Sequence, residues 1–281
     1  MVLFVLFIVG ASYLIAVGLQ YDLSFVGIAL IFSGIVSFTS YWWSDKVVLA
    51  ISQARPVTKA EFFDYYTVTE NLTLGQRLPM PKLYVIDDTA MNAFATGRDP
   101  QHAVVCATTG LLGQLTRSEI EGVVAHELSH VGNRDILVST IAVVLAGVIS
   151  ITADIFMRAS FFGSGRRDEN KAGGIGAIVG LIAIILAPIA ATLIKLAISR
   201  QREYLADSSG ALLTRYPEGL ASALEKISHD ATPMPQAKSA TAHLFFSNPF
   251  KGKQKKSFFA HLFMTHPPLQ DRIQRLRDLK I

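Results

Sequence analysis

The chain has 281 residues, of which 51% are hydrophobic and only 17% are charged, against roughly 25% charged in typical globular chains. Its net charge is +4, and its most obvious basic run, KGKQKK at residues 251–256, lacks interleaved aromatic residues. This composition argues against a nucleic-acid-binding protein. The single cysteine, Cys106, excludes a disulfide within the chain.

Two apolar blocks come first, at residues 2–20 and 23–43. Each is close to the ~20 residues that a helix needs to cross a membrane. The alternative for the first block is a cleaved signal peptide. Such a peptide begins with a basic region, whereas no Lys or Arg occurs before Lys46. We therefore predict two transmembrane helices over residues 1–43.

The next segment predicts the first half of a soluble domain, over residues 44–135. An amphipathic helix is expected over about 58–73, ending near Gly75. Three short runs follow, KLYVID, NAFATG and HAVVCAT, which are apolar or β-branched and are separated by Gly, Asp and Pro. These runs predict a small sheet of about three strands.

The stretch TRSEIEGVVAHELSHVG predicts a helix that follows the sheet. Thr116 and Glu119 form a capping-box pattern, which places the first helical residue at Arg117. Gly132 and Asn133 are expected to end the helix. The pattern HELSH lies in its second half.

This pattern has the spacing of a metal site. Residues four apart lie on one face of a helix, so His126 and His130 point the same way and can share one ion. Neutral imidazole is a good zinc ligand. Glu127 is adjacent to the first histidine and can reach a water molecule at the metal, which indicates a zinc hydrolase with a glutamate base. The alternative is a surface helix with incidental histidines.

Two further apolar blocks follow, at residues 136–157 and 173–194. Their lengths predict a transmembrane hairpin over 136–194, and the alternative is a hairpin buried in a protein core. The hairpin would interrupt one discontinuous soluble domain made of residues 44–135 and 195–281.

The segment RQREYLADSSG offers a third ligand. Glu203 and Asp207 are again four residues apart on one predicted helix face. Glu203 would complete a set of two histidines and a glutamate, and Asp207 would orient a ligand histidine through its free ring nitrogen. The alternative is a pair of solvated acids. Two more helices are expected, over YPEGLASALEKIS and at THPPLQDRIQRLRDL.

Four segments in this order make the chain resemble the membrane zinc metalloproteases of the HtpX type, relatives of the CaaX prenyl proteases: MNAFATG, VVAHELSHVGNRD, SRQREYLAD and THPPLQDRIQRL. The resemblance implies one zinc ion held by His126, His130 and Glu203, with Glu127 as the catalytic base. It also implies an α+β, mainly α fold, in which a zincin-like (gluzincin) domain with a small sheet is carried by multi-pass membrane helices.

The resemblance suggests roles for two further segments. It places His266, in the motif THPP, near the zinc ion, where the imidazole would stabilise the oxyanion or cap the open zinc position. The alternative is a surface histidine in a helix-start loop. It identifies the run containing Asn92, Ala93 and Phe94 as the edge strand that pairs with an extended substrate, and the alternative is an internal strand.

The expected function is a zinc endopeptidase that cleaves misfolded or damaged membrane proteins, or other unfolded polypeptides. The resemblance places it in the cell (inner) membrane with a cytoplasmic protease domain, as part of protein quality control. The rival hypotheses are a catalytically weak metal-binding scaffold in the bilayer and a CaaX-type processing protease. A transporter is less favoured because Asp154 is the only charged residue within the four apolar blocks.

The basic residues favour the cytoplasmic orientation only in part. Lys and Arg near the cytoplasmic ends of spans set orientation, and such residues flank the predicted spans: Lys46, Arg55, Lys59, Arg134, Arg200 and Arg202. The loop between the third and fourth blocks is also basic, however, with Arg158, Arg166, Arg167 and Lys171. The alternative is that these two blocks lie shallowly in the bilayer.

Overall fold

The computed structural model describes residues 24–141, 200–235, 237–238, 241–250 and 267–280, together with Tyr13. The chain divides into two compact units, Met1–Ser44 and Asp45–Ile281. The second apolar block is helical from its second residue onward, in helix α1, Ser24–Ile51.

The membrane predictions fall mostly outside these residues. The first block apart from Tyr13, the third block beyond residue 141 and the whole fourth block are not among the described residues, and neither is most of the predicted hairpin. Among the helices that the structure describes, none combines the length and the apolar character that crossing a bilayer requires.

The second unit contains a mixed sheet of four strands in the order β1-β2-β4-β3. Strands β2 and β4 are parallel, and the other two pairs are antiparallel. The strands are β1 Arg55–Pro56, β2 Lys82–Ile86, β3 Ala93–Thr96 and β4 Val104–Thr108. The three predicted strands are confirmed. Strand β1 was not predicted, because two residues are too few to show an alternating pattern.

Strand β3 is the last strand in this order, and all four of its residues are buried. Successive side chains of a strand point to opposite faces of the sheet. Accordingly, Ala93 and Ala95 belong to the main core, whereas Phe94 and Cys106 of the neighbouring strand belong to a second apolar cluster. The main core is the one that contains the HELSH helix.

Six helices of this unit have both ends among the described residues: α2 Phe63–Gln76, α3 Thr109–Gln114, α4 Arg117–Gly132, α5 Arg200–Thr214, α6 Pro217–His229 and α7 Leu269–Arg277. Helices α6 and α7 confirm the two predicted helices of the second half. Helix α7 begins directly after two prolines, which cannot donate the backbone hydrogen bonds of a helix interior.

Helix α2 differs from its predicted bounds at its start. It begins later because the carbonyl of Thr58 accepts the amides of Glu61 and Phe62 in a separate turn. It ends at Gln76, close to the predicted stop near Gly75. The residue after it, Arg77, caps the helix with a left-handed φ of 55°, a conformation in which glycine is the usual residue, and its amide donates to Leu74.

Helix α4 has the predicted bounds. The amide of Thr116 donates to Glu119 Oε2 over 2.7 Å, and the reciprocal half of the capping box is also present. The helix lies at the centre of the unit, in contact with α2, α5, α6 and β3. It approaches α6 closely at Gly122, where a Cβ atom would lie 2.6 Å from the amide nitrogen of Leu220.

Candidate metal centre

Helix α4 presents two imidazoles one turn apart inside the core. The Nε2 atoms of His126 and His130 are 3.2 Å apart, and the ring planes are close to perpendicular, at 86°. His126 is 1% exposed. The helical spacing therefore brings both nitrogens to one point, as the sequence predicts.

Helix α5 brings a carboxylate to the same point. Glu203 Oε2 lies 3.8 Å from His126 Nε2, and Glu203 Oε1 lies 3.6 Å from His130 Nε2. In a tetrahedral zinc site with bonds of about 2.0–2.2 Å, neighbouring ligand atoms are about 3.4 Å apart. Two imidazole nitrogens and a carboxylate oxygen also form a donor set that catalytic zinc uses, with a fourth position left for water. These three residues fit a zinc ion.

A glycine sets the distance between the two helices. A Cβ atom on Gly210 would lie 3.0 Å from the backbone nitrogen of His126 and 3.2 Å from the carbonyl carbon of Ala125. Gly210 is two turns beyond Glu203 on the same side of α5. The absence of a side chain at this position therefore lets α5 come close enough for Glu203 to meet the histidines.

A buried ion pair contacts the Nδ1 atom of His126. This Nδ1 atom lies 2.9 Å from Asp207 Oδ1. Arg272, from α7, donates to both oxygens of Asp207, with Nε at 2.9 Å and Nη2 at 2.7 Å. Burial acts to raise the pKa of Asp207, but the charge of Arg272 and its hydrogen bonds outweigh burial and lower this pKa to about 2. A carboxylate at Nδ1 fixes the ring so that Nε2 faces Glu203.

His130 has a similar partner on its other side. Its Nδ1 lies 3.2 Å from Asp135 Oδ2, and Arg202 Nη1 lies 3.3 Å from the other oxygen of Asp135. A short turn follows α4, in which Arg134 has a left-handed φ of 60°, and Asp135 comes directly after this turn. Burial acts to lower the pKa of His130, but Asp135 and the nearby carboxylates outweigh burial and raise this pKa to about 9.

Glu127 lies beside the ligand group without belonging to it. It is 4% exposed, and the backbone amide of Ala95 in β3 donates to its carboxylate. Burial raises the pKa of Glu127 to about 7. A carboxyl group with a pKa near neutrality can both take and return a proton.

The buried charges of this cluster point to a divalent cation. Among the described side chains here, Glu127, Glu203 and Asp207 are buried acids, and Arg272 is the fully buried base. If a metal ion took the place of the proton that the raised pKa of His130 otherwise favours, and if Glu127 were ionised, these groups would carry an excess of two negative charges, which one divalent ion would neutralise. Burial lowers the pKa of His126 to about 4, which keeps this imidazole neutral, as a metal ligand requires.

The remaining predicted site residues have different outcomes. His266 lies outside the described residues. Asn92, Ala93 and Phe94 lie at the start of β3, the last strand of the sheet, and all three are buried. The β3 residue that reaches Glu127 is Ala95, which was not among the predicted site residues.

Sequence reasoning missed three residues that surround the ligands. Asp135 and Arg272 orient the histidines, and Phe246 packs edge-on against His126 with ring centroids 4.9 Å apart. Only Arg272 left a signal, because it lies among the apolar residues that form one stripe of α7. An arginine in such a stripe is rarely buried unless it has a partner.

Comparisons with known proteins agree on one family. The model for Peptidase family M48 matches residues 65–280. A protein named Protease HtpX homolog from Caldanaerobacter subterraneus subsp. tengcongensis is 44% identical over 284 residues, which cover 100% of this chain and 93% of the relative. A second protein of that name, from Syntrophobacter fumaroxidans, is 49% identical over 255 residues, covering 90% and 89% of the two chains.

A solved structure has a similar fold. The crystal structure of S. mikatae Ste24p matches with a TM-score of 0.50 at 18% sequence identity. The match covers 98% of this chain and 62% of that protein, so the present chain spans less than two thirds of its length. At this identity the likeness concerns the fold alone.

Proposed function

The chain belongs to peptidase family M48, and on that premise we propose that it is a zinc-dependent endopeptidase. His126, His130 and Glu203 hold the metal, and Glu127 is the catalytic base. One observation carries the proposal: two imidazole nitrogens and a carboxylate converge within 4.8 Å of one another, with Glu127 buried beside them.

The chemistry follows from the positions of these groups. A bound zinc ion would supply Lewis-acid polarisation of the scissile carbonyl and would lower the pKa of a nearby water molecule. Glu127 takes a proton from the attacking water and later returns it to the leaving amine. The amide of Ala95 holds the carboxylate of Glu127 against β3 while this happens. Asp207 and Asp135 keep the two imidazoles in orientation.

Two substitutions test this assignment. Glu127→Gln should keep stoichiometric zinc and lower kcat for casein hydrolysis in detergent by roughly 10²–10⁴, because it removes proton transfer without removing a ligand. Glu203→Ala should instead lose the metal. Near-normal turnover by Glu127→Gln, or full zinc occupancy in Glu203→Ala, would contradict the respective assignment.

The same assay separates the rival functions. A wild-type protein that binds zinc but shows no chelator-sensitive hydrolysis would be a scaffold. Strong preference for prenylated peptides over casein would identify a CaaX-type processing protease. For His266, the proposal is a role in stabilising the oxyanion or capping the metal, and His266→Ala with unchanged kinetics would remove it from the site.

We also propose that the enzyme is a multi-pass protein of the cell (inner) membrane, with the protease domain in the cytoplasm. Its substrates would be misfolded or damaged membrane proteins. The four apolar blocks support the anchoring. So do the large apolar side chains that α1 exposes at helical spacing, since Ile31, Ile35 and Phe38 are each more than half exposed. Such a face is costly in water and favourable in lipid.

The edge of β3 is the proposed substrate-binding strand. A substrate chain that adds to a sheet edge gains main-chain hydrogen bonds, which do not depend on its sequence. Strand β3 is suited to this role because it ends the sheet and because its residue Ala95 contacts Glu127.

A further inference from the structure

A short stretch of the chain lies along the outer edge of β3: residues 245–247, here named the docked segment. The amide of Phe246 donates to the carbonyl of Ala93 over 2.9 Å. Asn92 then contacts Ser247 twice, since Oδ1 accepts the Ser247 amide at 3.0 Å and Nδ2 donates to the Ser247 carbonyl at 2.8 Å. Residue numbers rise along the docked segment while they fall along β3, so the two run antiparallel.

The side chains of the docked segment contact two different clusters. Phe245 packs on Phe94 in the second apolar cluster, with ring centroids 5.3 Å apart. Phe246 belongs to the main core, as Ala93 does. The backbone of Phe245 is locally extended, with φ −70° and ψ 138°, and residues 245–247 form a bend that contacts β3 without forming a further strand.

The ring of Phe246 fills a pocket beside the metal ligands. Its centroid is 4.9 Å from that of the His126 ring and 4.7 Å from the guanidinium carbon of Arg272. Phe246 is 2% exposed. An apolar ring bordered by a ligand histidine and a buried arginine therefore occupies the space next to the catalytic centre.

The polar contacts that Asn92 and Ala93 make to the docked segment involve its backbone. Ala93 and Asn92 bind amide and carbonyl groups of residues 246 and 247, and any extended peptide in this register would offer the same groups. Side-chain selection is left to the pocket of Phe246. Two residues further along the same strand, the amide of Ala95 holds Glu127.

We propose that the docked segment is a pseudosubstrate, and that the pocket of Phe246 selects a bulky apolar side chain in the substrate. The proposal rests on the peptidase function proposed above. In this form a substrate chain must displace residues 245–247 from β3, and its own apolar side chain then replaces the ring of Phe246.

The register gives the position of the cut. With residue 246 opposite Ala93, residue 244 would face Ala95, next to Glu127. A substrate in this register therefore presents to Glu127 a peptide bond one or two positions before its bulky residue. The protein's own segment is not presented in this way, because Ala242–Leu244 form a 3₁₀ turn and the extended stretch ends before it reaches Ala95.

The docked segment competes effectively with a substrate because it belongs to the same chain as the site. A tethered ligand acts at an effective concentration on the order of millimolar. If the segment occupies the groove about nine-tenths of the time, the apparent affinity for a substrate falls roughly tenfold. Weakening the segment should therefore lower KM and leave kcat unchanged.

Ser247→Pro tests the competition, with Ser247→Ala as the matched control. Proline removes the amide that donates to Asn92 but leaves the preceding residue extended, whereas alanine keeps the amide. In the full-length protein in detergent, we expect KM for a fluorogenic peptide to fall roughly tenfold in Ser247→Pro and to stay at the wild-type value in Ser247→Ala. Equal KM values in the two variants, with unchanged thermal midpoints and zinc content, would overturn the pseudosubstrate.

The cleavage sites of the wild-type enzyme test the pocket without any variant. We expect mass spectrometry of casein fragments to show cuts on the N-terminal side of Phe, Leu and similar residues. Cuts that show no preference for bulky apolar residues, or cuts on the C-terminal side of such residues, would overturn the inference and leave the peptidase function standing. The cleavage sites therefore test the inference even if Ser247→Pro does not fold. A wild type with no chelator-sensitive hydrolysis would instead overturn the peptidase function, and the inference with it.

Discussion

Arg272 is the residue that joins the metal centre to the last helix. Its side chain is fully buried and forms a bidentate ion pair with Asp207. Its Nη1 atom lies 3.7 Å from Glu203 Oε2. Removing one partner of a buried ion pair leaves an uncompensated charge, which typically costs about 3–5 kcal/mol. Arg272 thus contributes to both the stability of the core and the orientation of His126.

Replacing Arg272 should weaken zinc binding. We expect Arg272→Met to lower zinc affinity roughly 10–100-fold, as found for residues that orient ligands, and to lower the thermal midpoint of the metal-free protein. Competition with a chromophoric chelator measures the affinity. Arg277→Met is the matched control, because Arg277 on the same helix is 41% exposed and its ion pairs lie at the surface. Equal zinc affinities in the two variants would show that Arg272 does not position the site.

At the scale of elements, the start of α4 depends on an ionised carboxylate. Burial acts to raise the pKa of Glu119, but hydrogen bonds from Lys226 and Thr116 outweigh burial and lower it. A carboxylate with a lowered pKa in the folded state stabilises the protein above its ordinary pKa, here 4.5, and loses this effect as the pH falls through the folded-state pKa.

Glu119→Gln should therefore destabilise the protein in a pH-dependent way. Glutamine keeps the capping geometry but not the charge that faces Lys226. We expect a loss of about 1 kcal/mol at pH 7, which disappears as the pH falls below 4.5. Thermal midpoints of wild type and variant over this range measure the difference. Lys226→Met should remove the same pH-dependent part of the free energy of unfolding. A stability difference between wild type and Glu119→Gln that does not change with pH would contradict the ion pair.

The approach of α5 to α4 is a second property of the elements. A Cβ atom on Gly210 would press on the backbone of α4 at His126, with contacts of 3.0–3.3 Å. Interiors are close-packed, so a few tenths of an ångström must be taken up by moving one helix. Glu203 would move with α5, away from the histidines.

Gly210→Ala should lower zinc affinity although it changes no ligand. We expect at least a severalfold loss, together with a lower kcat, because displacements near 1 Å can cost on the order of a hundredfold in rate. Gly113→Ala is the control, since a Cβ atom there meets no atom within 4 Å. Zinc titrations that do not distinguish Gly210→Ala from wild type would mean that the helix contact adapts.

At the scale of the whole molecule, the proposed orientation can be tested with a single thiol. Cys106 is the chain's only cysteine and is 0% exposed, so the wild type should not react with a membrane-impermeant maleimide. Leu74 is 74% exposed on α2. We expect Leu74→Cys to be labelled only after the cells are permeabilised, as a cytoplasmic protease domain requires. Labelling in intact cells would place the domain outside.

Local patterns in the sequence predicted much of the fold and all three candidate ligands. The bounds of α4 follow from its capping box, and the shared face of His126 and His130 follows from helical spacing, so both depend on residues within a few positions of one another. The four quoted segments identified the family that the comparisons show. Strand β1 was not predicted because two residues show no pattern, and the start of α2 was missed because a separate turn at Thr58 precedes it.

The sequence by itself determined most of the elements, the family and a set of candidate ligands spread over two helices. Only the tertiary structure decided which distant residues complete the site: Arg272 lies 146 positions from His126, and Phe246 reaches β3 from 153 positions beyond Ala93. Spacing and capping act over a single turn of helix, whereas the partner of a buried charge or the occupant of a strand edge is selected by packing of the whole domain. A sequence pattern does not reveal these partners, because the choice of partner depends on which surfaces pack together in the folded core.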